Sequence, residues 1–163
     1  MGKCYNFMFD STFFAGGVNN KRRIYTTNWL GVLPENKSFK VTFTFISETD
    51  LLSNISFVSI PIVRCNLEQS NTFANLSLNA TSFTTTNALG FLKLGPLPSN
   101  NVSTNTDEGF LFADYTTNAP IYLKSRPTNS NLEVEIHNGL TNTNYVTDIP
   151  DYVITLHFEE EDY

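Results

Sequence analysis

The chain has 163 residues and a formal net charge of −6 at pH 7. The length fits one domain, and the negative charge argues against broad electrostatic binding of nucleic acid. Charged residues make up 16% of the sequence, below the ~25% of an average soluble domain. Asn, Ser and Thr supply the polarity instead, with 20, 13 and 20 copies. This composition is typical of a loop-rich surface that makes close contacts in an assembly, although an Asn-rich, AT-biased genome would also produce it.

Short strand-like segments follow one another from the N-terminus to residue 124. Every second residue is aromatic in the range 4–10 and apolar in the range 39–45, which predicts strands with one buried face. Residues 11–23 contain Gly16-Gly17 and predict a long exposed loop. Pro61 predicts an edge strand or a bulge within the segment 55–65. Further strands are predicted at 24–30, 80–89, 90–97, 110–115 and 121–124.

The last forty residues carry the clearest pattern. Apolar and polar residues alternate in the ranges 132–137 and 152–158, and Asn138-Gly139 between them favours a tight turn with positive φ. No amphipathic helical segment spans three turns. The chain is therefore predicted to be all-β, a single jelly-roll-like antiparallel β-sandwich of about eight strands, with an immunoglobulin-like sandwich as the alternative. Residues 1–163 form a single domain in this prediction, with a short acidic tail at 159–163.

Motifs of known catalytic chemistry are absent from the sequence. It contains no Gly-x-Ser-x-Gly, His-Glu-x-x-His, phosphate-binding loop or Cys-x-x-Cys. The two histidines, His137 and His157, are both predicted on polar strand faces, and a metal site there would need a third ligand such as Glu133 or Glu135. Ordinary surface histidines are the favoured interpretation. The chain is therefore predicted to be non-enzymatic and to hold no metal or cofactor.

Two charge clusters and three aromatic residues are candidates for contacts with partners. The basic cluster is Lys21-Arg22-Arg23, and the acidic one is Glu159-Glu160-Glu161. Each is either a solvated group of charges or an interface element, and the two are complementary. Exposed aromatic side chains could stack on sugars, and the candidates are Trp29, which core packing also explains, Tyr115 and Tyr145.

Targeting signals are equally sparse. Cys4 and Cys65 are the only cysteines, and nothing in their spacing demands a disulfide. No apolar region of a secretory signal follows Met1, and no stretch approaches about 18 consecutive apolar residues, so neither secretion nor a transmembrane helix is predicted. Synthesis in a reducing compartment with free thiols is the expectation.

The C-terminal part of the chain resembles a known group of coat proteins. A strand at 121–124 leads to Pro127-Thr128-Asn129, an alternating strand from Leu132, a turn, and a closing strand at 152–158 before an acidic end. This order is similar to that of the single jelly-roll capsid proteins of large double-stranded DNA viruses and virophages. The early strand at 39–46 also looks like a strand of that fold.

The resemblance implies a structural role without catalysis. It implies a penton (vertex) or minor coat protein that is made in the host cytoplasm and resides in the capsid of the virion. Its partners would be copies of itself, with a pentamer favoured, and other capsid proteins, without direct nucleic-acid contact or membrane insertion. The basic and acidic clusters could then be complementary interface elements. A carbohydrate-binding or adhesion β-sandwich module is the alternative function.

Overall fold

In a computed structural model of the protein, the described residues are 2–18, 22–51, 60–68, 88–96, 108–139 and 149–161. They form twelve strands and one short helix. In chain order these are β1 (Cys4–Asp10), β2 (Gly16–Val18), β3 (Arg22–Thr26), α1 (Trp29–Val32), β4 (Ser38–Ser47), β5 (Asp50–Leu51), β6 (Pro61–Cys65), β7 (Ala88–Phe91), β8 (Lys93–Pro96), β9 (Glu108–Ala113), β10 (Ile121–Leu123), β11 (Asn131–Asn138) and β12 (Tyr152–Glu161).

Eight of these strands form two four-stranded sheets with the strand order of a jelly roll. Sheet A has the order β1-β12-β4-β9, and sheet B has the order β3-β11-β6-β7. When these strands are numbered 1 to 8 along the chain, the orders are 1-8-3-6 and 2-7-4-5. Strands 1 to 4 thus pair with strands 8 to 5, as in a long hairpin rolled into two layers. Every ladder is antiparallel, and the predicted all-β jelly-roll-like sandwich is confirmed.

The four remaining strands are short and extend the sheets. β2 lies beside β3 in sheet B, while β5 and β8 both pair with β9 in sheet A. β10 pairs with β4 on the same side as β9, since Ile121 lies opposite Val41 and Ala113 lies opposite Phe45. β9 and β10 are therefore two parts of one interrupted strand, and residues 114–120 loop out between them.

The core lies between the sheets and is rich in aromatic rings. Trp29 is 1% exposed, and its ring centroid lies 4.6 Å from that of Phe7 and 5.4 Å from that of Phe158. Every second residue of β4, from Phe39 to Phe45, is buried, as the alternation predicts. Strand β12 contributes the buried side chains of Tyr152, Ile154, Leu156 and Phe158.

Local sequence predicted several strand bounds closely and others poorly. β1 has the predicted bounds, and Gly139 has the expected positive φ, 75°. Pro61 begins β6, and a register shift follows between Val63 and Arg64, so the predicted irregularity is present. The predicted strand 24–30 is wrong in its second half, because the Asn28 side chain accepts a hydrogen bond from the Gly31 amide and caps helix α1. Residues 52–59, 69–87, 97–107 and 140–148 lie outside the described residues, and so do the predictions that fall on them.

The acidic end of the chain belongs to the fold. Glu159, Glu160 and Glu161 continue β12 and lie opposite Lys40, Phe39 and Ser38 of β4. The backbone amide of Glu160 also donates to the carbonyl of Lys3 on the other side. The strand therefore runs three residues beyond the predicted end at Phe158, and the acidic residues within it are held by backbone pairing.

Candidate functional site

The two arginines of the predicted basic cluster have different environments, and Lys21 lies outside the described residues. Arg22 forms two hydrogen bonds to the Glu133 carboxylate, of 2.6 and 2.9 Å, and its Nε lies 3.7 Å from Glu135. This side chain remains 39% exposed. These two acidic partners lie on β11 of the same chain, where strand register brings Arg22 opposite Glu135.

Arg23 is buried, contrary to the exposed loop predicted for residues 11–23. Its guanidinium donates to the carbonyl of Ser11 and to Asp151 at 3.1 Å. The same group lies over the rings of Phe14 and Tyr152, at 5.2 and 5.5 Å. Strand alternation turns Arg23 inward between Arg22 and Ile24, so the buried charge is balanced by a carboxylate and covered by aromatic faces.

The acidic residues also have partners within the chain. Lys40 Nζ lies 3.1 Å from a Glu159 carboxylate oxygen, and the Tyr5 hydroxyl donates to Glu160 at 2.7 Å. The hydrogen bond to Glu159 raises the pKa of Lys40, and the hydrogen bond to Glu160 raises the pKa of Tyr5. These contacts are on the surface, so they fix side-chain positions more than they stabilise the fold.

The two predicted charge clusters lie at opposite ends of β12. Arg23 contacts Tyr152, the first residue of the strand, whereas Glu160 lies eight residues further along. At ~3.3 Å per residue this separation is roughly 25 Å. The clusters therefore cannot pair within one chain, and a contact between them would need two copies.

The predicted outward position is wrong for one of the two histidines and correct for the other. His137 is 4% exposed, and its Nε2 lies 2.8 Å from a Glu135 carboxylate oxygen, so its predicted place on an exposed polar face is wrong. His157 does lie on an outward face, where its Nδ1 is 2.6 Å from the side-chain oxygen of Asn6. The parts of the chain that the structure describes contain no group of three His, Cys, Asp or Glu side chains that could hold a metal ion.

A groove of about 400 Å³ lies on the outer face of sheet A. Its floor comes from outward residues of β1, β12 and β4, which strand register places side by side: Cys4 lies opposite Glu159, and Glu159 opposite Lys40. The loop 114–120 contributes its wall. We call this feature the outer groove, and its lining residues are Cys4, Lys40, Thr42, Tyr115, Pro120, His157, Phe158 and Glu159.

Hydrogen bonds fix the loop that forms the groove wall. The Asp114 carboxylate accepts from the Thr116 amide at 2.8 Å and from the Thr116 hydroxyl at 2.6 Å, and these bonds lower the pKa of Asp114. At the other end, the Asn118 amide bonds both the N–H and the C=O of Phe91, each at 2.9 Å. The loop is thus tied to β7 of sheet B.

Of the three aromatic residues predicted for sugar stacking, the two that the structure describes differ in their exposure to solvent. Trp29 is in the core, as its alternative explanation required, and Tyr145 lies outside the described residues. Tyr115 is 68% exposed and lines the outer groove. The sequence predicted Tyr115 as a candidate for sugar stacking and Glu159 as a possible interface residue. It did not predict Lys40 or Thr42, or that these side chains line one groove with Tyr115.

Large apolar side chains are exposed near the ends of β1 and β4. Phe13 is 81% exposed, Met8 is 73% exposed and Ile46 is 56% exposed. On the outer face of sheet A, Ile46 lies between Val153 and Phe112 in one cross-strand row. We call Val153, Ile46 and Phe112 the apolar row. Contiguous exposed apolar residues of this kind are a feature of interaction surfaces.

The two cysteines are free. Cys65 is buried, which raises the pKa of its thiol to about 12 and keeps it protonated at neutral pH. Cys4 is exposed on β1. Across the described ranges no helix is long and apolar enough to cross a membrane.

No protein-family model, no curated protein and no solved structure matches this chain. The resemblance to jelly-roll capsid proteins therefore remains a prediction from the sequence.

Proposed function

We propose that the protein is a non-enzymatic structural subunit of a viral capsid, a penton or minor coat protein that resides in the virion. The observation that carries the proposal is the strand order 1-8-3-6 and 2-7-4-5. Jelly rolls of this kind recur in viral capsid subunits, although lectins and cupins share the architecture. Because fold alone does not determine function, the proposal also needs a surface suited to assembly.

The exposed apolar side chains supply that surface. Met8 and Phe13 expose more than two thirds of their area, and Ile46 more than half. Burying such side chains against a neighbouring subunit contributes about 25 cal/mol per Å² of apolar area. Closed rings use the same contact repeatedly, and five-fold rings would suit a capsid vertex.

In this proposal the charged residues contribute less to the free energy of assembly than the apolar side chains do. Arg22 and Glu159 already have partners in their own chain, at 2.6 and 3.1 Å. A contact between the basic and acidic clusters of two copies would therefore exchange existing ion pairs for new ones, which changes the free energy little. We propose that the apolar row provides most of the assembly energy and that these charges orient neighbouring subunits.

Mass measurement of the purified full chain tests the proposal. We expect a closed oligomer, with a pentamer at ~92 kDa, five times the 18.4 kDa of one chain. Ile46→Asp should dissociate it, because the substitution puts a charge into the apolar row. Arg22→Gln is the matched surface control, since it removes a charge while leaving the apolar row intact, and it should assemble nearly normally. A chain that stays monomeric at high concentration, both alone and in extracts of cells producing the complete particle, would contradict the proposal.

A further inference from the structure

We infer that the outer groove binds a neutral carbohydrate through the ring of Tyr115 and the polar side chains of its floor. This inference goes beyond the capsid proposal: the outer groove and the apolar row of Val153, Ile46 and Phe112 lie on the same face of sheet A but share no residue. It assigns a ligand-binding function to a site made of residues from four separate segments of the chain.

The first argument is the exposure and fixation of Tyr115. A ring that is 68% exposed leaves most of its apolar face in water. The neighbouring residues Asp114 and Asn118 are tied by hydrogen bonds to Thr116 and to the backbone of Phe91. The ring is therefore presented on an ordered loop, so little conformational entropy is lost when a ligand stacks on it. The C–H bonds on one face of a sugar suit the negative face of an aromatic ring.

The second argument is the polar floor beneath the ring. Lys40, Thr42, His157 and Glu159 come from two adjacent strands and point to the same side of sheet A. Lys40, Thr42 and Glu159 offer ammonium, hydroxyl and carboxylate groups at positions set by strand register, and His157 adds ring surface, because its Nδ1 bonds Asn6 and its Nε2 is buried. Sugar hydroxyls both donate and accept hydrogen bonds, so a floor with both kinds of group matches them.

The third argument is charge, which selects among polar ligands. The Lys40 ammonium and the Glu159 carboxylate lie 3.1 Å apart and neutralise each other. An anionic ligand would meet Glu159, and a cationic ligand would meet Lys40, so either would have to disturb this pair. A neutral ligand can bond to both members of the pair without separating them. The volume of about 400 Å³ lies within the range of small-molecule sites.

An array of neutral and acidic glycans, followed by titration of the strongest binder, tests the inference with the full chain. We expect binding to neutral glycans, and we expect Tyr115→Ala to weaken the affinity at least tenfold. Tyr115→Phe keeps the ring and should retain most of the affinity. Leu30→Ala is the control, because it removes an apolar side chain that is 54% exposed and lies outside both the groove lining and the proposed assembly surface, and its affinity should equal that of the native chain.

Several results would overturn the inference. These are the absence of binding to any neutral glycan, selective binding of acidic glycans, and unchanged affinity in Tyr115→Ala. Equal losses in Tyr115→Ala and Leu30→Ala would show that the effect is not specific to the groove. Thermal unfolding of each variant checks the fold. If Tyr115→Ala is unstable, Tyr115→Phe decides instead, and a tenfold loss of affinity in that variant would contradict ring stacking. Assembly is measured separately by mass, so failure of glycan binding is distinguishable from failure of the capsid proposal.

Discussion

Arg23 connects the two sheets at the end where β12 begins. It lies on β3 of sheet B, and its guanidinium bonds Asp151 and packs on Tyr152 of sheet A. The hydroxyls of Tyr25 and Tyr152 also meet across the sheets at 3.3 Å. Burial raises the pKa of both tyrosines, so they remain neutral hydrogen-bonding groups beside the arginine at physiological pH.

Replacing Arg23 should destabilise the protein markedly. Arg23→Ala removes a side chain that is 3% exposed and leaves the Ser11 carbonyl and Asp151 without this donor. Loss of one partner from a buried charge pair costs about 3–5 kcal/mol, and the partial exposure of Asp151 places the expected loss near the lower limit. Chemical denaturation of the native chain and the variant measures this loss.

Arg22→Ala is the control for this prediction. Its side chain is 39% exposed and forms a surface ion pair with Glu133, so the expected cost is about 0–1 kcal/mol. Equal losses for the two variants would contradict the structural role assigned to Arg23.

Single residues show what local sequence could and could not predict. The burial of Phe39 and the outward position of His157 follow from strand alternation, and both were predicted. The burial of Arg23 depends on a residue far along the chain, Asp151. The burial of His137 breaks the alternation of strand β11, whose last three residues are all buried. Polar side chains are usually exposed, so local sequence does not predict that a charged residue is buried when its ion-pair partner is distant in the chain.

At the level of elements, the loop 114–120 between β9 and β10 forms the wall of the outer groove, and Asn118 attaches this loop to the sandwich. Asn118 substitutes for a strand neighbour, because its side-chain amide makes both of the hydrogen bonds that a backbone partner would make to Phe91. The adjacent Gly90 has a φ of 155°, and a Cβ on it would collide with the Asn118 amide. Close approach of the loop therefore requires glycine at this position.

A double-mutant cycle tests this contact. Asn118→Ala removes two hydrogen bonds at about 1 kcal/mol each, so we expect a loss of roughly 1–3 kcal/mol. Gly90→Ala should be destabilising in the native chain because of both the collision and the strained φ. It should cost less in the Asn118→Ala background, where the collision is gone and only the strain remains. Additive losses, measured by denaturant unfolding, would show that the two residues do not interact.

The sequence predicted strands correctly where the alternation of apolar and polar residues was long. It did not predict how strands continue across a break such as the one between β9 and β10. The ten-residue β4 and β12 carry enough alternation to be recognised. The pairing of β10 beside β9 along one edge of β4 depends on register between distant segments. Local pattern predicted both strands but contained no information that they continue each other.

At the level of the whole molecule, the two ends of the chain meet in sheet A. β12 lies between β1 and β4, so the last strand of the sequence is hydrogen-bonded on both sides. The jelly-roll order requires this arrangement, because the first and last strands of the rolled hairpin pair with each other. Folding of sheet A is therefore incomplete until the C-terminal strand is present.

Removing the acidic end tests whether its backbone or its charge matters. Ending the chain after Phe158 deletes residues 159–163. This removes the backbones of Glu159, Glu160 and Glu161 that pair with β4, and also the hydrogen bond between Glu160 and Tyr5. At about 1 kcal/mol for each hydrogen bond lost, we expect a destabilisation of about 2–4 kcal/mol.

The matched control is the full chain with Glu159→Gln, Glu160→Gln and Glu161→Gln, which keeps the strand backbone and removes the charges. That variant should lose about 1 kcal/mol or less, because the contacts are at the surface. Thermal unfolding separates the two cases, and equal losses would mean that charge, and not strand pairing, holds this end of the molecule.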